Sequence, residues 1–417
     1  MKFKPIEIKA IELAKKKLKD VVLETELQYN ARYSDALKSS IWFKREDLQK
    51  VRSFKIRGAY NKISSLNNED KTKGVVCSSA GNHAQGVALS CNKLQIDGVI
   101  YMPTITPNQK IEQVKMFGGK YIEVRLEGDT YDDAFLAAKK YCELENKCFI
   151  HPFDDLKVIE GQATLALETI CQSKNKIDYI FVPIGGGGLI SGIISVFKQL
   201  SPETKIIGIE PFGAPSMKTS LEKNKIVTLS KIDPFVDGAA VKKIGEISFS
   251  YCKQFLDDII LVPEGKICQT ILDMYNKDAI VVEPAGAIAI AALDYYKDEI
   301  KNKNVVCLVC GSNNDITRMS EIKEKALLFG NLKHYFVIKL PQRAGALKEF
   351  LTEILGPNDD ITHFEYTKKN YREKGHAVVG LEIKHEKDLA PLIDRMKENG
   401  FYDEYLNNKE SLGQILV

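Results

Sequence analysis

Tyr179-Ile180-Phe181-Val182-Pro183-Ile184 runs without a charge into Gly185-Gly186-Gly187-Gly188-Leu189, and an apolar helical pattern follows over residues 189–200. A short apolar run ahead of a helix reads as a strand buried on both faces, as in a parallel sheet. The same order recurs on either side. Residues 75–77, 98–102, 121–126 and 149–153 are β-rich, and helical patterns follow them near 83 and at 108–117, 131–144 and 158–171. Downstream, 205–210 reads as a strand, and 305–310 is a last apolar strand after a helix at 285–296. Such alternation predicts an α/β fold with helices on both faces of parallel sheets. Ligands then gather at the carboxyl ends of the strands, so the loops after strands are the candidate sites.

Four consecutive glycines lose too much entropy on ordering to be needed for a tight turn. Their N–H groups can converge on one anion, and the helix that follows adds a partial positive charge, so the loop reads as a phosphate cradle. A dinucleotide site is disfavoured, because Gly-x-Gly-x-x-Gly with an acidic residue on the next strand is not matched. Ser53-Phe54-Lys55-Ile56-Arg57-Gly58 sets an amine among aromatic and aliphatic neighbours. Desolvation there lowers the amine from about 10.4 and makes it a nucleophile and a base. Taken alone, a lysine beside Phe is an ordinary snorkelling surface residue. Ser78-Ser79-Ala80-Gly81-Asn82-His83 sits where a strand ends and a helix begins, and its hydroxyls, amide and free N–H groups suit a carboxylate or phenolate oxygen. Cys310-Gly311-Ser312-Asn313-Asn314 ends another buried strand and by itself reads as a polar turn.

The chain has 417 residues, more than one core usually serves. Hydrophobic residues make up 44% and charged residues 28%, with a net charge of +3 spread along the chain, which argues against a nucleic-acid surface. Lys15-Lys16-Lys17 reads as a solvated helix face. Nine scattered cysteines fit reduced thiols, not a disulfide frame or a zinc site. The start, Met1-Lys2-Phe3-Lys4-Pro5, lacks the apolar core of a secretory signal, and no run is long enough to span a bilayer. The expectation is a cytoplasmic protein with neither nucleic acid nor membrane as partner. After about residue 332 the pattern changes to strand 334–340, helix 345–355, strands 360–367 and 377–384, helix 388–399 and a short strand 402–406. This is a separate α+β domain. The boundaries drawn are 1–330, with a smaller lobe at about 50–150, and 331–417.

Taken in order, the Lys55 segment, Ser79-Ala80-Gly81-Asn82-His83-Ala84-Gln85-Gly86, the glycine cluster, Glu283-Pro284-Ala285-Gly286 and the Cys310 turn resemble the fold-type II pyridoxal-phosphate enzymes. Among these the chain looks most like the biosynthetic threonine dehydratases (threonine ammonia-lyases), over nearly all of residues 1 to 330. Leu340-Pro341-Gln342-Arg343-Ala344-Gly345-Ala346-Leu347 is similar to the strand–loop–helix of an ACT-like regulatory domain, of which one copy fits the remaining length. The implied fold is two parallel-sheet α/β lobes plus a C-terminal α+β ACT-like domain. The implied activity is the lyase reaction from L-threonine to 2-oxobutanoate and ammonia, the first step of isoleucine biosynthesis. Isoleucine is the implied inhibitor, with valine as a possible relieving effector, acting through a homo-oligomer, a dimer or tetramer.

By the same resemblance Lys55 holds pyridoxal 5'-phosphate as a Schiff base and removes the substrate's Cα proton. Phe54 packs near the cofactor, Asn82 hydrogen-bonds its 3′-oxygen, and Gly185, Gly186, Gly187, Gly188 and Leu189 cradle its phosphate. Ser79, Asn82 and His83 hold the substrate carboxylate. Cys310 stands where the family usually has a serine facing the pyridine nitrogen; Ser312, two residues on, is the alternative. Related serine racemases carry a serine where this chain has Ala80, so dehydration without racemisation is expected. Related enzymes bind a divalent metal through a Glu and a later Asp near Glu210, and the second carboxylate is missing from Glu210-Pro211-Phe212-Gly213-Ala214-Pro215-Ser216, so no metal is expected. Arg343 or Asn358 is an expected polar contact for an effector; the bland reading of the tail is a dimerisation module. Two competing functions stay open here: a serine dehydratase of the same family, since one methyl group distinguishes the substrates by only about 1–3 kcal/mol, and a binding protein that has lost catalysis.

Overall fold

The computed structural model describes residues 4–366 and 374–408. It divides into two compact units, Met1–Ile316 and Thr317–Val417.

The first unit holds two sheets. Strands β1 Leu27–Tyr29, β2 Ser40–Arg45, β7 Tyr179–Pro183, β8 Lys205–Pro211, β9 Asp258–Val262 and β10 Asn304–Val309 form the larger, in the order β1-β2-β10-β7-β8-β9. Only the β1–β2 pair is antiparallel. Strands β3 Val75–Ser78, β4 Gly98–Met102, β5 Ile122–Leu126 and β6 Cys148–Phe149 form the smaller, all parallel, in the order β5-β4-β3-β6. Every residue of β3, β4 and β7 is buried, as strands covered on both faces must be.

Two helices set the frame of the site. Leu156–Gln172 starts on Asp155, whose carboxylate accepts the N–H groups of Lys157 and Val158, and it is buried from Val158 to Thr169. Helix Lys55–Ser64 crosses it closely: a Cβ at Gly161 would lie 2.4 Å from the Arg57 carbonyl oxygen. Behind the crossing, Arg57 reaches Glu46 at 2.8 Å and Glu168 at 2.6 Å, and Lys44 meets Glu168 at 3.0 Å, all four side chains buried.

The second unit is one antiparallel sheet, β11 Lys333–Pro341, β12 Asp360–Tyr366, β13 Lys374–Glu382 and β14 Tyr402–Tyr405, in the order β12-β13-β11-β14. Its own core gathers Phe336, Phe350, Val379, Leu381, Leu392, Met396 and Phe401. Helix Met319–Phe329 belongs to it, because Glu324 pairs with Lys333 and takes the Tyr335 hydroxyl at 2.6 Å.

Several elements differ from the sequence expectation. The strand expected at 149–153 ends at Phe149. Beyond it the chain turns, with Pro152 offering no donor and the His151 Nδ1 accepting the Asp154 N–H at 2.8 Å. The helix expected at 285–296 is α only over Pro284–Ala291 and tightens to 3-10 over Ala292–Tyr295. The helix expected at 345–355 is α over Ala346–Glu349 and π over Phe350–Ile354. Thr367, placed at the end of a strand, lies outside the described residues. Cys307 and Cys310 are in fact spaced Cys-x-x-Cys, against the reading of the cysteines as merely scattered; all nine thiols are free.

Candidate active site

Three of the motifs leave the carboxyl ends of parallel strands: Ser79 follows β3, Gly185 follows β7, and Cys310 follows β10. Lys55 joins them from the start of its helix. Ser53 bridges Gly311 backbone to backbone, and the Phe54 N–H donates to the Cys310 carbonyl at 3.3 Å. These bonds tie the lysine's segment to the end of β10. The Lys55 Nζ donates to the Pro152 carbonyl at 2.9 Å and lies 5.4 Å from the Phe54 ring. Burial lowers this amine to about 8, against the opposing pull of Cys310 and Glu283.

The glycine cluster turns sharply. Gly187 sits at φ 94, in the left-handed region, and caps helix Gly188–Leu200. A Cβ at Gly186 would fall 2.3 Å from the Phe153 ring, and one at Gly187 2.4 Å from the Ser248 Cβ. Only bare backbone fits between these walls. The buried Ser248 hydroxyl, beside this loop, has no hydrogen-bond partner among the described residues. A left-handed glycine at a helix N-terminus with an unsatisfied hydroxyl alongside fits a phosphate group.

Asn82 opens helix Asn82–Leu94. Its Nδ2 donates to Glu283 Oε1 at 2.6 Å, and its Oδ1 accepts from Asn313 Nδ2 at 2.6 Å. His83 is buried, and burial lowers its imidazole to about 3. Its Nε2 donates to the Ile150 carbonyl at 2.9 Å, since a carbonyl only accepts. The side chain is therefore neutral and engaged elsewhere; what His83 can offer a carboxylate is its backbone N–H in the first helical turn. The Ser79 hydroxyl accepts the Gly81 N–H at 3.2 Å.

Cys310 and Ser312 diverge. The Cys310 Sγ donates to the Ala285 carbonyl at 3.0 Å, whereas the Ser312 hydroxyl turns to the Asp47 carbonyl at 3.2 Å. Burial pushes the Cys310 thiol well above its usual 9.0, so the group stays a neutral thiol. Glu210, far along β8, takes the N–H groups of Met217 at 2.7 Å and Lys218 at 2.9 Å with its two oxygens. Its carboxylate is spent on the start of helix Ser216–Glu222.

Sequence reading assigned no role to Glu283, Asn313 or the loop through Asp237, Gly238 and Ala239. A Cβ at Gly185 would lie 3.1 Å from the Ala239 Cα, and Asp237 pairs with Lys110 at 2.7 Å. The Glu283-Pro284 step ahead of a helix was the one available signal. The loop, partnered only through folding, carries none.

The pyridoxal-phosphate dependent enzyme family matches residues 18–311, and the C-terminal regulatory domain of threonine dehydratase matches residues 324–416. The biosynthetic L-threonine dehydratase IlvA of Halalkalibacterium halodurans is 56% identical over 412 residues, covering 99% of both chains. Its counterpart from Bacillus subtilis is 54% identical over 412 residues, covering 99% of this chain and 98% of its own. Among solved structures, the processed form of threonine deaminase isoform 2 from Solanum lycopersicum is similar at TM-score 0.73 and 41% identity, over 77% of this chain and 95% of that one. Maize serine racemase is similar at TM-score 0.71 and 32% identity, over 78% and 98%. With both halves of the chain matched and the likeness running end to end, the chain belongs to the biosynthetic threonine dehydratase family of pyridoxal-phosphate enzymes.

Proposed function

We infer that the chain removes water and ammonia from L-threonine to give 2-oxobutanoate, the first step of isoleucine biosynthesis. The observation that carries this is Lys55: a desolvated amine near 8 set among a glycine cradle, an oriented asparagine and a neutral thiol. Bound pyridoxal phosphate supplies the electron sink for the charge left at Cα. The backbone of Gly185, Gly186, Gly187, Gly188 and Leu189 would hold the phosphate, Phe54 would pack by the ring, and Asn82 would donate to its 3′-oxygen. Ser79 and the backbone N–H groups of Asn82 and His83 would hold the substrate carboxylate, fixing the Cα–H bond toward Lys55. The free amine of Lys55 takes that proton, as a base tuned close to working pH does best. Cys310, a neutral thiol, would not protonate the pyridine nitrogen, which would favour elimination of the Cα proton and the β-hydroxyl together as water over transamination. Ala80 offers no proton to the opposite face, so Cα is not reprotonated there. The released enamine hydrolyses to 2-oxobutanoate and ammonia.

The same reading makes isoleucine the inhibitor bound by the C-terminal regulatory domain, with Arg343 or Asn358 as its polar contact, and valine the effector that relieves it. A single copy of the domain calls for a second chain to complete a paired effector site, hence a dimer or tetramer. Nine free thiols support a cytoplasmic setting, and no helix among the described residues is long and apolar enough to cross a membrane.

The test is 2-oxobutanoate formation from threonine and pyruvate formation from serine, each with and without isoleucine. Higher kcat/KM for threonine, lowered by isoleucine, is expected. A clear preference for serine sinks the substrate assignment, and a colourless protein that binds isoleucine without turnover sinks the enzyme.

A further inference from the structure

Glu283 occupies the N-cap position of helix Pro284–Ala291, yet its side chain makes no cap hydrogen bond there. It is buried and turned instead toward Asn82, 201 residues earlier in the chain. Its Oε1 accepts the Asn82 Nδ2 at 2.6 Å and its Oε2 accepts the Asn313 backbone N–H at 3.1 Å. Asn313 closes the ring, its own Nδ2 donating to Asn82 Oδ1 at 2.6 Å and to the Val51 carbonyl at 2.9 Å.

This ring leaves Asn82 one orientation. Turning the amide over would set its oxygen against a carboxylate oxygen and its NH2 against another NH2, losing both bonds and adding repulsion. In the orientation held, one N–H of Nδ2 is taken by Glu283, and no acceptor among the described residues takes the other. A buried carboxylate without an ion-pair partner is costly. None of the described ion pairs includes Glu283; the charged and titratable groups acting around it are Asp237, Lys110, Lys55 and Cys310. What the burial secures is a fixed amide at the mouth of the site.

We propose that Glu283, with Asn313, is a positioning residue that holds Asn82 with one N–H aimed at an anionic oxygen of the bound cofactor. This rests on the reading of Asn82 as a cofactor-holding residue. Both carboxylate oxygens accept N–H donors, so protonating either one sets an O–H against a donor and loosens the ring. Burial first, then Asp237, raises this carboxyl to about 7, against Asn82, Asn313 and Lys110. The ring is therefore intact above that pH and relaxed below it.

The experiment compares holoenzyme with Glu283→Gln, Asn82→Ala and the double variant, following the visible absorbance of the bound cofactor against pH as well as kcat and KM. Glu283→Gln should lower kcat by about 10–100-fold, as loss of a group orienting a ligand does, shift the pH titration of the absorbance and flatten the acid limb of kcat. Added to Asn82→Ala, it should do almost nothing further, because it acts through Asn82. Unchanged spectra and kcat in Glu283→Gln, or effects that simply add in the double variant, overturn the proposal. If Asn82→Ala itself changes nothing, the reading of Asn82 has failed and the proposal falls with it. Should Glu283→Gln not fold, Asn313→Ala opens the same ring from the other side and must show the same spectral shift; a wild-type spectrum there overturns the proposal as well.

Discussion

Glu210 and Lys55 have pKa values moved by the same cause, burial, with opposite consequences. For Lys55 the shift down to about 8 makes a base available near neutral pH. Capture of pyridoxal phosphate by the apoenzyme, followed by visible absorbance, should therefore quicken as pH rises toward 8 and be abolished in Lys55→Ala; a pH-independent rate would contradict an amine that must lose its proton first. For Glu210 burial raises the carboxyl from 4.5 to about 7, against the N–H groups of Lys218 and Met217. A pKa higher in the folded chain means the native state holds the proton more tightly. Its contribution to stability is thus complete below about 4.5 and lost as pH rises through about 7. Glu210→Gln should remove that slope between the two values, read from urea midpoints across pH. An unaltered slope would show that Glu210 does not titrate there.

At the scale of elements, the position of Lys55 is set by the helix that carries it and by the buried charges behind that helix. Burial pushes the Glu46 carboxyl up, but Arg57, Lys44 and Thr25 together outweigh it and hold the group below the usual carboxylate range. Removing one partner of such a cluster leaves a buried charge uncompensated. Arg57→Ala should cost about 3–5 kcal/mol of unfolding free energy, measured by denaturant titration, whereas a loss under about 1 kcal/mol would mark the pair as no stronger than a surface one. The same elements show what sequence can reveal. Strands β3, β4 and β7 were legible because their residues are nearly all apolar and buried on both faces, and the glycine loop because only backbone fits it. Strands β1, β2 and β9 were not: β2 carries the buried Lys44, paired with Glu168, and the half-buried Arg45, paired with Asp47, and β9 is half-exposed along most of its length. The Asn82–Glu283–Asn313 ring was illegible for a related reason. Its members stand 201 and 231 residues apart, and no local pattern records a contact made only by folding.

At the scale of the whole molecule, the chain divides into two compact units. Every candidate site residue, from Phe54 to Cys310, lies within Met1–Ile316, and the Asn313 that orients Asn82 does too. Thr317–Val417 has a core of its own around its antiparallel sheet. Units with separate cores are expected to fold separately, so the place of the cut decides what is lost. The sequence boundary at residue 330 would leave helix Met319–Phe329 on the catalytic piece without Lys333 and Tyr335, the partners of Glu324. A chain ending at Ile316 should therefore be the better behaved of the two truncations, with a higher midpoint of thermal unfolding and less aggregation. It should keep forming 2-oxobutanoate from threonine while losing all response to isoleucine. If the shortened chain is still inhibited, the effector site lies in the first unit; if it folds and holds the cofactor but does not turn over, the second unit contributes to catalysis itself and not only to its control.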